Sequence, residues 1–220
     1  MAIKKVKPTF EVSIGAAYFC MIKERNSEEI IYTPYEPTNE LKVWEMDVIK
    51  TLGLTRNVAE LKVHASGILF DTINRTTGAD IVLGVVALPD DLLIEIEGIT
   101  DKDGFTFNRT NDRGREFAFG YWGENSDGSF TMVWHPVCKL VPTEEAHNTS
   151  TDEITDPERS YTVRVIPWER TWRVRYSTAR AKTAGKEPID RNVFFAKPIY
   201  KEDQVPKALE ISTPPETIDE

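Results

Sequence analysis

The sequence predicts a mainly β fold with one short flanking α-helix and one long extended arm. Three observations lead there. Glu116-Phe-Ala-Phe-Gly-Tyr-Trp122 and Ser129-Phe-Thr-Met-Val-Trp-His135 are rich in strand-forming residues, and Glu124-Asn-Ser-Asp-Gly128 between them has the Asn, Asp and Gly content of a hairpin loop. Tyr161, Val163 and Val165 alternate with polar residues, as do Trp172, Val174 and Tyr176, so each set shares one face of a strand. Helical periodicity, by contrast, is confined to short stretches.

Taken in order, the first irregular stretch runs from Tyr32 to Asn57. It opens with the loop-like, Pro-containing segment Tyr32 to Asn39, and Trp44, Val48, Ile49 and Leu52 then fall at the spacing of an apolar stripe. An excursion of this length without strong periodicity is unusual in a compact domain and predicts an interaction arm over 32–57. Val58 to His64 alternates, with Val58 out of phase with Leu61 and Val63. Asp80 to Leu88 is nearly all apolar, which predicts a strand buried on both faces. Pro89, Asp90 and Asp91 suit a helix start, Leu92, Leu93 and Ile96 lie on one side, and Gly98 can end it, so a helix is expected over 89–97. The competing feature is Leu93 to Glu97, which also alternates like a strand. Val137 to Val141 continues the second strand of the 116–135 hairpin past an irregularity at Pro136. The strands around Tyr161 to Val165 and Trp172 to Tyr176 are expected to pair as a second hairpin, turning at Pro167 to Arg170. A single domain over 1–200 is followed by an acidic tail, 201–220, whose Pro206, Pro214 and Pro215 predict mobility.

Composition excludes several classes. The 220 residues are 40% hydrophobic and 29% charged, which suits a globular protein and neither a disordered nor a collagen-like chain. The longest mostly apolar run, Phe10 to Ile22, contains Glu11 and is shorter than the roughly 20 residues that span a bilayer, and no secretory leader is expected. Two cysteines make no disulfide framework, so a soluble protein made in a reducing cytoplasm is expected. The net charge of −9 is local: Glu144 to Arg159 has six acids and one base, and Lys201 to Glu220 has six acids and two bases. Such runs are ordinarily solvated loops and tails, and the 144–158 run lacks the ligand spacing of a calcium loop. The alternative is a surface that repels a polyanion.

Catalytic and cofactor chemistry leaves no pattern. There is no phosphate-binding Gly-Lys-Ser/Thr loop, since Gly185-Lys186 is followed by Glu187. His64, His135 and His147 stand far apart without metal-ligand spacing, and His64 and His135 read as sheet residues. Asp101-Lys-Asp-Gly104 reads as a turn, and Cys138 as a structural thiol. The five tryptophans could form a sugar-stacking platform but, on alternating strands, suit core or interface positions better. No catalytic, cofactor or metal residues are assigned, and the chain does not read as an enzyme.

The order and spacing of several pieces resemble the major tail proteins, or tail-tube proteins, of long-tailed, non-contractile phages of Gram-positive bacteria. These pieces are Gly15-Ala-Ala-Tyr-Phe-Cys-Met21 and the arm after it, Glu60-Leu-Lys-Val-His-Ala-Ser-Gly-Ile-Leu-Phe70, and the segment closing on Leu88 to Gly98. They continue with Phe117 to Gly123 and Phe130 to Lys139 around the Asn-Ser-Asp-Gly turn, the strands 161–166 and 172–176, and Val193-Phe-Phe-Ala-Lys-Pro-Ile-Tyr200. The resemblance spans about Ile14 to Tyr200.

It implies a β-sandwich or barrel with a flanking helix, assembling into hexameric rings that stack as the conduit for DNA ejection. The location implied is the virion, after synthesis in the host cytoplasm. The implied partners are other copies of the chain together with tape-measure, tail-terminator and distal tail proteins, with DNA passing unbound and no membrane involved. Candidate self-assembly residues are Tyr32, Tyr35 and Trp44 in the arm, and Arg164, Arg173 and Arg175. Because Val163, Val165, Trp172 and Val174 claim the core face, the pleat is expected to send these arginines to the other face, paired with carboxylates of a neighbouring strand or subunit rather than bare in a channel. The alternative function is a carbohydrate-binding β-sandwich module of a phage baseplate or receptor-binding apparatus, built on the tryptophans.

Overall fold

Alternating apolar residues make strands of most of the chain. The structure, a computed structural model, describes residues 10–35, 40–65, 68–110, 112–142 and 159–205, with only the backbone described at 35, 40, 63–65 and 68–70. The strands are β1 (Glu11–Arg25), β2 (Ile30–Tyr32), β3 (Pro34–Tyr35), β4 (Glu40–Leu41), β5 (Val43–Met46), β6 (Ile49–Ala65), β7 (Ile68–Val85), β8 (Thr100–Lys102), β9 (Phe105–Phe107), β10 (Phe117–Asn125), β11 (Phe130–Val141), β12 (Arg159–Val165) and β13 (Val174–Ser177). Three helices, α1 (Asp90–Glu97), α2 (Thr178–Thr183) and α3 (Arg191–Phe195), accompany them. The mainly β expectation holds.

One antiparallel sheet runs β2-β1-β10-β11-β12-β7-β6, with β5 added to β1 and β13 to β11. Its hinge is β11. Thr131 to Trp134 pairs with β13, whereas Cys138 to Val141 pairs with β12. Between them lies Pro136, which has no N–H to give a ladder. The sheet folds over at this point, so that Phe19, Phe117, Phe119 and Val133 from one half meet Ile81, Leu83, Tyr161 and Val163 from the other in a first core. Burying one sheet face against another in this way is the sandwich solution.

The reverse face of β1, β10 and β11 is covered as well. Tyr18, Cys20, Ala118, Met132 and Trp134 meet Phe194 and Phe195 of α3, Ile30 and Tyr32 of β2, and Ile199 and Tyr200 in a second core. Gly120 is what lets this layer close: a Cβ there would lie 2.8 Å from the Trp134 ring. Strands buried on both faces are therefore β1, β10 and β11. The segment from Asp80 to Leu88, expected to be of that kind, buries only one face; Ile81, Leu83 and Val85 are inside while Val82 is 44% exposed.

The 116–135 hairpin and the continuation past Pro136 are present as β10 and β11. The helix over 89–97 is present as α1, with Asp90 and Asp91 favouring its N-terminal dipole, Leu92 and Ile96 buried, and Gly98 at φ 70° closing it. The single-helix expectation was short by α2 and α3, whose turns lie in the part of the chain after Ser177.

The second hairpin is a correction. Its turn exists: Trp168 and Thr171 exchange both backbone hydrogen bonds across Glu169 and Arg170, both at positive φ. The strands beyond it then diverge, because β12 and β13 each complete a different stretch of the β11 edge. Nor do Trp172, Val174 and Tyr176 share a face. Trp172 packs against the first core, and Val174 and Tyr176 against the second.

The segment 32–57 is not a detached arm. Tyr32 and Met46 are buried, β5 pairs with β1, and the Trp44, Val48, Ile49 and Leu52 stripe lies in and around strands, not on a helix. The part that leaves the body is the ribbon formed by β6 and β7. Pairing of β7 with β12 ends at Ala79, and from Asn57↔Gly78 to Ala65↔Ile68 the two strands, among the described residues, pair only with each other. The phase slip at Val58 corresponds to a register irregularity between Asn57 and Val58. The acidic run 144–158 and the tail beyond Val205 lie outside the described residues.

Candidate self-assembly surfaces

Arg164 lies directly opposite Asp80 of β7, and its Nε donates to Asp80 Oδ1 at 2.9 Å. Asn57 Nδ2 donates to the same carboxylate at 3.1 Å, and these two hydrogen bonds, Asn57 first, hold Asp80 below the usual carboxylate range. The pairing with a neighbouring strand is as expected for this arginine. With the guanidinium largely in water, it contributes no more than about 1 kcal/mol.

Arg173 and Arg175 do not follow the expected geometry, because both faces of the sheet carry a core. Arg175 is opposite Val133 and so lies on the first-core side, where its Nη2 donates to Thr131 Oγ1 at 3.4 Å. The Arg173 guanidinium stacks 4.7 Å from the Trp172 ring centroid, and Arg56 of β6 lies 5.8 Å from the same ring. Burial lowers the pKa of Arg173, Tyr121 opposes that, and the charges of Arg56 and Arg175 add to it. Glu11 is pushed up by burial and pulled back by Arg175. Among the described residues neither Arg173 nor Arg175 forms an ion pair.

Tyr32 is a core residue, not a surface contact. Its hydroxyl donates to the Pro136 carbonyl at 3.5 Å, its ring lies 6.2 Å from that of Tyr200, and burial pushes its phenol pKa up. Trp44 is half-buried and ties β5 to α1 through Nε1 donating to Glu95 Oε2 at 3.3 Å. Tyr35 lies in β3, paired with Glu40 of β4, and its side chain is outside the described residues.

Two apolar surfaces were not singled out from the sequence. On the β6–β7 ribbon, Leu61 and Ile73 face each other across the strands and are 60% and 50% exposed. On the β8–β9 hairpin, Phe105 and Phe107 are 68% and 48% exposed. Asp103 and Gly104, both at positive φ, make the hairpin turn, so the Asp101 to Gly104 turn is where it was expected. The signal for the second surface was legible: an Asp-Gly pair followed by Phe-Thr-Phe is a hairpin with one aromatic face.

Groups with catalytic potential are placed as structure. Among the described residues no group of three or more His, Cys, Asp or Glu side chains could hold a metal, and no helix is long and apolar enough to cross a membrane. Cys20 and Cys138 are buried free thiols, and burial pushes Cys20 up to about 12. Trp134 and Trp168 are buried in the second core, leaving no platform of five tryptophans. His135 is fully enclosed: Nδ1 lies 2.9 Å from the Trp172 carbonyl, which makes it the protonated nitrogen, and Nε2 has no partner. Phe119, Tyr121, Trp172 and Arg173 surround it.

Burial pushes the His135 imidazole down to about 4, with the Trp172 hydrogen bond opposing and Arg173 reinforcing the shift. Above pH 7 it is neutral in both folded and unfolded chains and pH has no leverage through it. Below its ordinary value the unfolded chain takes up the proton first, so stability is lost as pH falls from about 6.5 towards 4. Between pH 7 and 4.5 this contribution is about 2–3 kcal/mol. In urea unfolding, His135→Gln is expected to show a pH-dependent loss smaller than that of the unsubstituted protein by that amount; equal losses would mean that His135 is not held neutral.

No protein-family model matches the chain, and no curated protein is similar to it.

Proposed function

We propose that the chain is the major subunit of a phage tail tube, self-assembling into hexameric rings that stack into the conduit for DNA ejection. The observation that carries this reading is the β6–β7 ribbon. It extends nine residues beyond the body, from Asn57 to Ala65, or roughly 30 Å at strand rise. It bears an apolar cross-strand pair in water and an outer edge on β6 that has no neighbouring strand among the described residues. A long exposed edge of this kind invites pairing with another chain, and ring closure between copies removes it in an ordered way. Outside the acidic run 144–159 and the tail 201–220 the acids and bases balance, which suits a wall along which DNA slides, since phosphates that are not neutralised keep their counterions and gain no binding energy. Tape-measure, tail-terminator and distal tail proteins are the further partners this role requires. The carbohydrate-binding alternative is weakened by the burial of Trp134 and Trp168.

Electron microscopy of the purified protein over a concentration series tests the reading, with native mass spectrometry giving subunit number. Rings with six-fold symmetry or tubes are expected. A protein that stays monomeric or trimeric at every concentration and binds a glycan array would overturn it in favour of the carbohydrate-binding module.

A further inference from the structure

The sandwich has two unlike ends. At one, α1 closes the first core, with Arg115 N–H donating to the Ile96 carbonyl at 2.7 Å and Ile22 N–H to the Glu116 carbonyl at 2.9 Å. The β8–β9 hairpin emerges from this end, directly after Gly98 closes α1 against the Arg113 backbone. At the other end, a cleft of about 610 Å³ opens between β1 and β6, lined by Val12, Ile14, Leu52, Leu54 and Tyr121 with Glu11 at its rim. Ten residue steps along β1 lead from Glu11 to Met21, roughly 30 Å.

Each end carries what the other lacks. The hairpin presents Phe105 and Phe107 on one face, with its one base, Lys102, opposite Phe105 on that face, and Asp101 on the other face with Asp103 at the turn. The cleft offers an apolar wall on β6, and along the same face Tyr121 pairs with Val133 and Val133 with Arg175, two strands away. Arg56 joins Arg173 over Trp172. We infer that the β8–β9 hairpin of one copy enters the β1–β6 cleft of the next, with Phe105 and Phe107 against Leu52 and Leu54 and with Asp101 and Asp103 facing the arginines. The partner is a second copy because one chain carries both halves at opposite ends: exposed aromatic rings and two acids on the hairpin, and an apolar cleft with Arg56 and Arg173 gathered over Trp172 on the body. Such a contact is head-to-tail, and head-to-tail contacts propagate into rings or filaments rather than stopping at a dimer. This contact rests on the self-assembly proposed above.

Two variants of the full chain test it. Phe105→Ser with Phe107→Ser removes two exposed rings, so the monomer is expected to melt as the unsubstituted protein does while the concentration needed for assembly rises about a hundredfold, tenfold per ring. Mixing Phe105→Cys with Leu54→Cys under mild oxidation is expected to yield a disulfide between the two variants, since Cys20 and Cys138 are buried. The cysteine pair decides the matter even if the serine variant misfolds. Unsubstituted protein that assembles while the serine variant assembles equally well and no mixed disulfide forms would refute this contact and leave the tail-tube reading standing. Unsubstituted protein that never assembles refutes both.

Discussion

Replacing Trp134 with Ala is expected to remove about 4 kcal/mol of stability and to loosen the whole second core. The indole is fully buried, 5.5 Å from the Phe195 ring and 6.5 Å from that of Tyr18. Its Nε1 donates to the Phe194 carbonyl at 3.1 Å, so one side chain both fills the layer and fastens α3 to β11. Truncation leaves a cavity the size of the ring system and strips a hydrogen bond from a buried carbonyl. Gly120 lies against the same ring, so the backbone cannot collapse into the space without moving β10. For a chain of this length each kcal/mol shifts the melting midpoint by about 2–4 °C, which puts the expected drop near 10–15 °C. Calorimetry reads it directly. A fall of under about 1 kcal/mol would mean that α3 and the segment up to Tyr200 are not packed on the sheet as described.

What the sequence made legible was local. Asn, Asp and Gly between two runs of strand formers specify the β10–β11 hairpin, and Pro89, the acids after it and Gly98 specify α1 from within a dozen residues. Partner choice was not local. Nothing between Tyr161 and Tyr176 states that the β11 edge is available in two stretches on either side of Pro136, and without that the two strands look made for each other. The burial of β1 and β7 has the same difficulty. Ala17 to Ile22 and Ile81 to Val86 are both apolar runs, and what distinguishes them is the cover supplied to β1 by α3 and Tyr200, nearly the whole chain away. Tyr32 looked like an arm residue for the same reason, since its partners Pro136 and Tyr200 lie far along the sequence. Arg173 and Arg175 were misplaced by one assumption: alternation assigns a core face and a free face, and a sheet with cores on both sides has no free face except at its rims.

The second large effect is expected on assembly with almost none on the monomer. Leu61 and Ile73 form a cross-strand pair on the ribbon, half or more exposed and beyond the reach of either core. In the monomer such a pair contributes a few tenths of a kcal/mol to 1 kcal/mol, so Leu61→Ser with Ile73→Ser should shift the melting midpoint by no more than about 4 °C. If another copy covers that face, the same two side chains leave water on assembly, and losing them should raise the concentration at which rings or tubes appear about a hundredfold. Val58 makes the control. Two residues along a strand share a face and three do not, so Val58 points away from Leu61, and Val58→Ser reports on the ribbon's opposite surface. Assembly lost in the double variant and kept in Val58→Ser locates the contact on the Leu61 face; the reverse locates it on the other. Assembly unchanged in both would remove the ribbon as the element that joins copies and, with it, the observation on which the tail-tube reading stands. A large fall in monomer stability would instead mean that the ribbon packs against its own chain.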